Sequence, residues 1–193
     1  MTKKILIVNG HQKWEISPGG FNALLAAQAE KVLSAKGYEI QTSTIDAGWD
    51  DEDEVQKTLW ADVLILQFPV FWFTVPWLLK KYIDEVYMAG YGRLFANDGR
   101  TRTDANQHYG SGGLLQGKQF MLSPTWNAPP EALDDLDQFF EGKGNDAVFL
   151  WLQKTYEFCG MEPLPAFPTY DVAKDPTVEE DLKRWTAHLE AHI

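Results

Sequence analysis

Two unbroken apolar runs constrain this chain more than any other feature. Residues 3–8 read KKILIV and residues 62–68 read DVLILQF. Neither run alternates apolar with polar residues, so neither offers a face to water. Strands of that kind belong inside a parallel sheet buried on both faces. A parallel sheet in turn needs a crossover, usually a helix, between successive strands.

The rest of the chain supplies those crossovers. After the first strand, Phe21, Leu24, Leu25, Val32 and Leu33 share one helical face. Ser17 and Pro18 fit as cap and first helical residue, and Gly37 as the C-terminal stop. Residues 38–45, YEIQTSTI, alternate loosely and predict a less buried strand. Asp50 to Glu54 bring carboxylates to the start of a short helix, where the dipole favours them. Residues 75–88 predict a helix with Pro76 in its first turn and a stripe of Leu78, Leu79, Tyr82, Ile83 and Val86. Residues 118–124 predict a fourth strand, 146–159 a helix, 163–168 a short Pro-bounded strand, and 177–192 a charged amphipathic helix.

The order βαβαβαβαβα has no compositional break, so residues 1–193 are expected to form one α/β domain. Five strands with helices on both faces suggest a flavodoxin-like five-stranded parallel sheet of order 2-1-3-4-5. The segment 89–117 is long for a connection in a compact domain, which points to a role in function or in an interface.

Composition excludes several classes. There are 28 Asp and Glu against 17 Lys and Arg, a net charge of -11. Such a chain repels phosphate backbones and anionic lipid, which disfavours general nucleic-acid or membrane binding. Cys159 is the single cysteine, so no internal disulfide and no cysteine metal cluster is expected. The first apolar run is too short for a signal peptide or a bilayer span, and a cytoplasmic protein is the expectation.

In a parallel sheet the C-terminal strand ends share one edge, and ligands bind there. Three loops converge on that edge. The first, NGHQKWEISPGGFN, leads into a helix N-terminus, where free N–H groups and the dipole suit a phosphate. Ser17 offers a hydroxyl, Gly19 and Gly20 permit close approach, and Asn22 with the N–H groups of 20–23 completes a cradle. The same run also fits a plainly capped helix with a Gly-rich entry. The second loop, PVFWFTVP, is restricted at both ends by Pro69 and Pro76. From Phe68 to Trp77 five of ten residues are aromatic, a surface for stacking a flat ligand or for a subunit interface. The third loop, Thr125-Trp126-Asn127-Ala128, adds a hydroxyl, an indole and an amide.

Other motifs do not hold up. GGLLQGK at 112–118 has the spacing of a nucleotide-binding P-loop, but Gln119 stands where Ser or Thr is needed, and the run precedes a strand. No G-x-G-x-x-G follows the first strand. His188 and His192 have metal-ligand spacing without an evident third ligand.

The segment from Gln67 to Pro76 resembles the Q-F-P-x-x-W-F-x-V-P signature of the flavin-dependent NAD(P)H:quinone reductases of flavodoxin-like fold. NDGRTRTD, YGSGGLLQGK, TWNAPPEA and FCGMEPLP look like the bacterial subfamily called modulator of drug activity B. The resemblance covers essentially the whole chain. It implies an FAD cofactor, NADPH as co-substrate, a small quinone substrate, and a homodimer with the flavin near the interface. It places Ser17, Gly19, Gly20, Phe21, Asn22, Ala23 and Leu24 at the pyrophosphate. It places Pro69, Val70, Phe71, Trp72 and Phe73 along the isoalloxazine, and Thr125, Trp126, Asn127 and Ala128 on another side of the ring. It adds Tyr109, which is expected to serve the partner subunit's flavin. Arg100 and Arg102 are candidates for a 2′-phosphate, or simply solvated. The implied activity is two-electron, ping-pong reduction of quinones. An electron carrier of flavodoxin type and a non-catalytic module using the aromatic loop for assembly remain as alternatives.

Overall fold

The computed structural model describes every residue except 1, 102, 103, 105 and 106. Strands β1 (Lys4–Asn9), β2 (Glu39–Thr44), β3 (Val63–Pro69), β4 (Gln119–Thr125) and β5 (Glu162–Pro163) form one parallel sheet. Their order is 2-1-3-4-5, as the sequence predicts. The helices are α1 (Gly20–Ala35), α2 (Asp51–Trp60), α3 (Trp77–Ala89), α4 (Glu131–Asp134), α5 (Gly144–Val148), α6 (Leu150–Phe158) and α7 (Val178–His192). No helix among the described residues is long and apolar enough to cross a membrane.

The unbroken apolar runs divide between two cores, because successive side chains in a strand point to opposite faces. Ile5, Ile7, Val63 and Ile65 meet Leu25, Ala29 and Leu33 of α1 and Trp185 and Leu189 of α7. Leu6, Val8, Leu64 and Leu66 meet Val55 of α2, the Leu79–Tyr82–Ile83–Val86 stripe of α3 and Leu152 and Tyr156 of α6. All eight strand residues are buried, and each contributes roughly 1.5–3 kcal/mol by leaving water. The carboxylate of Glu54 is buried beside the second group. It accepts hydrogen bonds from Ser43 Oγ at 2.8 Å, Tyr82 at 2.7 Å and Lys57 Nζ at 2.6 Å, so its charge is compensated.

Several expected boundaries shift for local reasons. α1 begins at Gly20, not at Pro18, because Gly19 adopts a left-handed conformation (φ 86) and turns the chain there. Leu24 is expected on the buried face of α1 but is exposed; Ala29 packs in that stripe with Leu25 and Leu33. Pro76 stands just before α3, whose first residue is Trp77. The helix expected over 146–159 is two pieces, α5 and α6, that break at Phe149 (φ -99, ψ 16). The strand expected over 163–168 pairs regularly only at Glu162–Pro163. Pro163, Pro165 and Pro168 lack the N–H that a ladder needs. The chain still follows β4 through the N–H groups of Leu164, Phe167 and Thr169, which donate to Phe120, Leu122 and Pro124 at 2.8, 2.9 and 3.0 Å.

Candidate functional site

β1, β3 and β4 release their loops at one edge of the sheet, and a cavity of about 1450 Å³ lies between those loops. The first loop is held from below by His11. Its ring is buried, its Nε2 lies 3.0 Å from the Ser17 carbonyl oxygen, and it fills the space beneath Gly19. A Cβ on Gly19 would stand 2.2 Å from that ring. Further out, Trp14 and Ser17 exchange two backbone hydrogen bonds, of 3.0 and 3.1 Å, across Glu15 and Ile16. The loop ends at α1, which has no side-chain cap. The N–H groups of Gly20, Phe21 and Asn22 donate to no acceptor among the described residues, and all three residues line the cavity. Three free donors at the positive end of a 16-residue helix are the chemistry that suits an anion.

The second loop is a miniature hairpin. The Val70 N–H donates to the Thr125 carbonyl at 2.9 Å and ties the loop to β4. Phe71 and Thr74 then exchange hydrogen bonds of 2.9 and 3.2 Å across Trp72 and Phe73. Those two residues have φ of 51 and 66, the signature of a turn that normally takes Asn-Gly. Holding aromatic residues there costs about 1–2 kcal/mol each. The result is a Trp72 ring that is 91% exposed at the cavity wall. Phe73 turns the other way and packs on Phe139 and Phe140 at ring distances of 5.6 and 5.5 Å.

At the third loop, Thr125 Oγ1 accepts from Asn22 Nδ2 at 3.1 Å, and Asn22 Oδ1 accepts from Gln67 Nε2 at 2.8 Å. Asn127 is exposed into the cavity. Trp126 is a core residue. Its indole N–H donates to Asn145 Oδ1 at 3.0 Å and its backbone N–H to Thr169 at 2.8 Å, which leaves neither for a ligand.

Of the expected site residues, Ser17, Gly19, Gly20, Phe21, Asn22, Pro69, Val70, Phe71, Trp72, Thr125 and Asn127 line this cavity together. Ala23, Leu24, Phe73, Trp126, Ala128 and Tyr109 do not. Tyr109 lies in the long connection, where its ring meets Phe158 at 5.7 Å and the Arg100 guanidinium at 5.5 Å. Arg100 is bound to Asp98 at 2.6 Å, and Arg102 lies outside the described residues. Sequence reasoning missed Trp14, Ile16, Trp77, Trp151, Val172 and Ala173, which make the cavity apolar, and the Lys80, Lys81, Asp84 and Glu85 rim. Trp14 and Ile16 carried a signal, being apolar residues in a polar loop. Trp151 and Val172 come from segments that carried none. Cys159 is buried, and burial pushes its thiol up to about 12, away from the reactive thiolate. Residues 112–118 lead into β4, with Gly113 pressed against the Cys159 backbone.

A helix start with free N–H donors beside an apolar, aromatic-walled cleft, at the carboxyl edge of a 2-1-3-4-5 sheet, defines a flavodoxin-like protein. The chain belongs to that family: the model for the flavodoxin-like fold matches residues 3–193. Within it, the chain is 46% identical to the NADPH:quinone oxidoreductase MdaB of Haemophilus influenzae over 186 residues, covering 96% of this chain and 97% of that one. A solved putative quinone reductase from Klebsiella pneumoniae superimposes with a TM-score of 0.76 at 25% identity, covering 98% of this chain and 83% of that one. General stress protein 14 of Treponema denticola, solved in complex with FMN, shares the fold at a TM-score of 0.69 and 21% identity, with 98% of each chain covered.

Proposed function

We propose that this chain is an NAD(P)H:quinone oxidoreductase that holds FAD, takes its electrons from NADPH and reduces quinones two electrons at a time. The observation that carries the reading is the joining, in one cavity, of free helix N–H donors at one end with a strained aromatic wall at the other. The quinone oxidoreductase named among the relatives supports it at 46% identity over nearly the full length of both chains.

The lining fits a flavin. A Cβ on Gly20 would meet nothing within 4 Å, so a pyrophosphate has room to approach the α1 donors. The N–H groups of Trp72 and Phe73 donate to no acceptor among the described residues, leaving two backbone donors beside the aromatic wall. Typical small-molecule pockets measure roughly 300–1000 Å³, and the larger volume here accommodates FAD together with a flat second ligand. That room favours an enzyme over an electron carrier, which needs only an exposed flavin edge.

A bound flavin would supply the redox chemistry between nicotinamide and quinone. The protein binds, orients and shields. Gly20, Phe21 and Asn22 hold the anionic end. Trp72 and Phe71 set the plane against which nicotinamide and quinone take turns, and the surrounding Trp14, Trp77 and Trp151 exclude water. The polar groups of Thr125 and Asn127, which line the same cavity, would stabilise charge that develops on a bound flavin. A homodimer completes the proposal. Met88, Tyr91, Tyr109 and Leu114 are exposed and apolar, and the rings of Tyr91, Phe95, Phe158 and Tyr109 form a contiguous series of contacts. Tyr109, absent from its own chain's cavity, is then available to the partner's.

The test is the visible spectrum of the purified protein. A flavin band that NADPH bleaches without oxygen, and that a small quinone restores, is expected. A colourless protein that rebinds no flavin overturns the reading. A protein that binds flavin but consumes almost no NADPH with quinone is a carrier.

A further inference from the structure

We propose that Gln67 is a positioning residue for the flavin: acting through Asn22, it sets the Thr125 hydroxyl as a hydrogen-bond donor into the cavity. The proposal rests on the flavin reading above and deepens it. Gln67 lies on β3 between Asn9 and Ser123 of the neighbouring strands and is 0% exposed. Val63 and Ile65, on the same face of the strand, are apolar, and an apolar side chain is the expected choice at its position too.

The shorter hydrogen bonds run in one direction. An amide nitrogen only donates. Gln67 Nε2 donates to Asn22 Oδ1 at 2.8 Å, and Asn22 Nδ2 donates to Thr125 Oγ1 at 3.1 Å. Thr125 Oγ1 therefore accepts a hydrogen bond from within the protein, and its own O–H, with only a long inward contact, can turn to the cavity that Asn22 and Thr125 both line. Among the described residues the one inward acceptor for that O–H is Asn22 Oδ1, at a long 3.5 Å, and Gln67 Nε2 donates to the same oxygen at 2.8 Å. The oxidised isoalloxazine edge presents carbonyl and ring-nitrogen acceptors, which match a donor.

A second observation separates this role from plain packing. Gln67 Oε1 is buried and has no hydrogen-bond partner among the described residues. A buried carbonyl left unpaired costs stability, so Gln67 is a poor choice for the fold alone. Its Nε2 makes the contact that holds Asn22 in orientation. Without it, Asn22 Oδ1 loses its close donor, and the Thr125 hydroxyl turns fully inward to replace it.

The test titrates FAD into flavin-free protein by fluorescence, with a thermal melt and the midpoint potential of the bound flavin recorded for each variant. Gln67→Leu and Thr125→Val should each weaken FAD roughly tenfold, the worth of one buried hydrogen bond. The double variant should lose no more than either single one, and Gln67→Leu should melt at or above the wild-type temperature. Gln67→Glu should bind like wild type at acidic pH, where its carboxyl is protonated and donates to Asn22. It should lose that affinity, relative to wild type at the same pH, as the pH rises past its burial-raised pKa. Wild-type affinity in Gln67→Leu, or losses that multiply in the double variant, would overturn the proposal. If Gln67→Leu does not fold, a pH-independent affinity ratio for Gln67→Glu overturns it instead. Should the wild-type protein bind no FAD, the flavin reading fails and takes this proposal with it. Should wild type and variants bind equally, this proposal alone fails.

Discussion

The turns at 14–17 and 71–74 stand on the same sheet edge and share one hydrogen-bond pattern, a reciprocal pair of backbone bonds across two residues. They carry opposite burdens. The first has Glu15 and Ile16 at its tip, and neither has a positive φ. Its work is done by the backbone that follows, where Gly19 turns the chain over His11 and presents the α1 donors. The second puts its work into side chains and accepts left-handed Trp72 and Phe73 to do so. Backbone strain held at a non-glycine residue persists only when the surroundings over-determine it. Here the Val70–Thr125 bond, Pro69 and Pro76 on either side, and the packing of Phe73 on Phe139 and Phe140 do so. The first turn should therefore fail through its glycine and the second through its tryptophan.

The largest effect is expected at Gly19. Alanine there is disfavoured twice, by φ 86 and by a contact of 2.2 Å with the His11 ring. Gly19→Ala should lower stability by about 2–4 kcal/mol and weaken flavin binding by roughly 100-fold or more, because the α1 donors shift with the loop. Gly20→Ala is the matched control. Its Cβ meets nothing within 4 Å, so thermal stability should stay within about 0.5 kcal/mol of wild type. Equal melting temperatures for the two variants would remove the distinction between the turns.

Next comes the Trp72 side chain. Trp72→Ala deletes an exposed ring that supports no core contact. Quinone turnover should fall by roughly 10- to 100-fold in kcat/KM through lost orientation, with stability unchanged within about 0.5 kcal/mol. Steady-state kinetics beside a thermal melt decide it. A loss of stability that matches the loss of activity would make Trp72 a structural residue.

The contrast between the two turns also explains what could be read from the sequence. Continuous apolar runs report a sheet buried on both faces, and from there the strand order and the ligand edge follow. Glycines ahead of a helix report a backbone site, which is why the loop from Ser17 to Asn22 stood out. The aromatic run reported a surface, but not which ring faces which way. Trp72 and Phe73 are adjacent and chemically alike, and only the turn geometry sends one to the cavity and the other to Phe139 and Phe140. Trp126 looked like a ligand-facing indole and is a core side chain, because Asn145, 19 residues away in the chain, takes its N–H. Trp151 and Val172 reach the cavity from α6 and from the segment before α7, a long-range packing outcome without local periodicity.

The smallest effect tests the strain itself. Replacing a residue by glycine normally costs about 0.4–1 kcal/mol, because the unfolded chain gains freedom. Ile16, 97% exposed and without a positive φ, should follow that rule: Ile16→Gly should destabilise by about that amount. At Trp72 the same cost is set against relief of about 1–2 kcal/mol from the left-handed backbone. Trp72→Gly should therefore stabilise the protein by about 0.5–1 kcal/mol while its quinone turnover falls as in Trp72→Ala. Opposite signs in two denaturant titrations would show that the aromatic turn trades stability for the placement of one ring. Two losses of the same sign would mean that the backbone at 72 is comfortable and that no such trade exists.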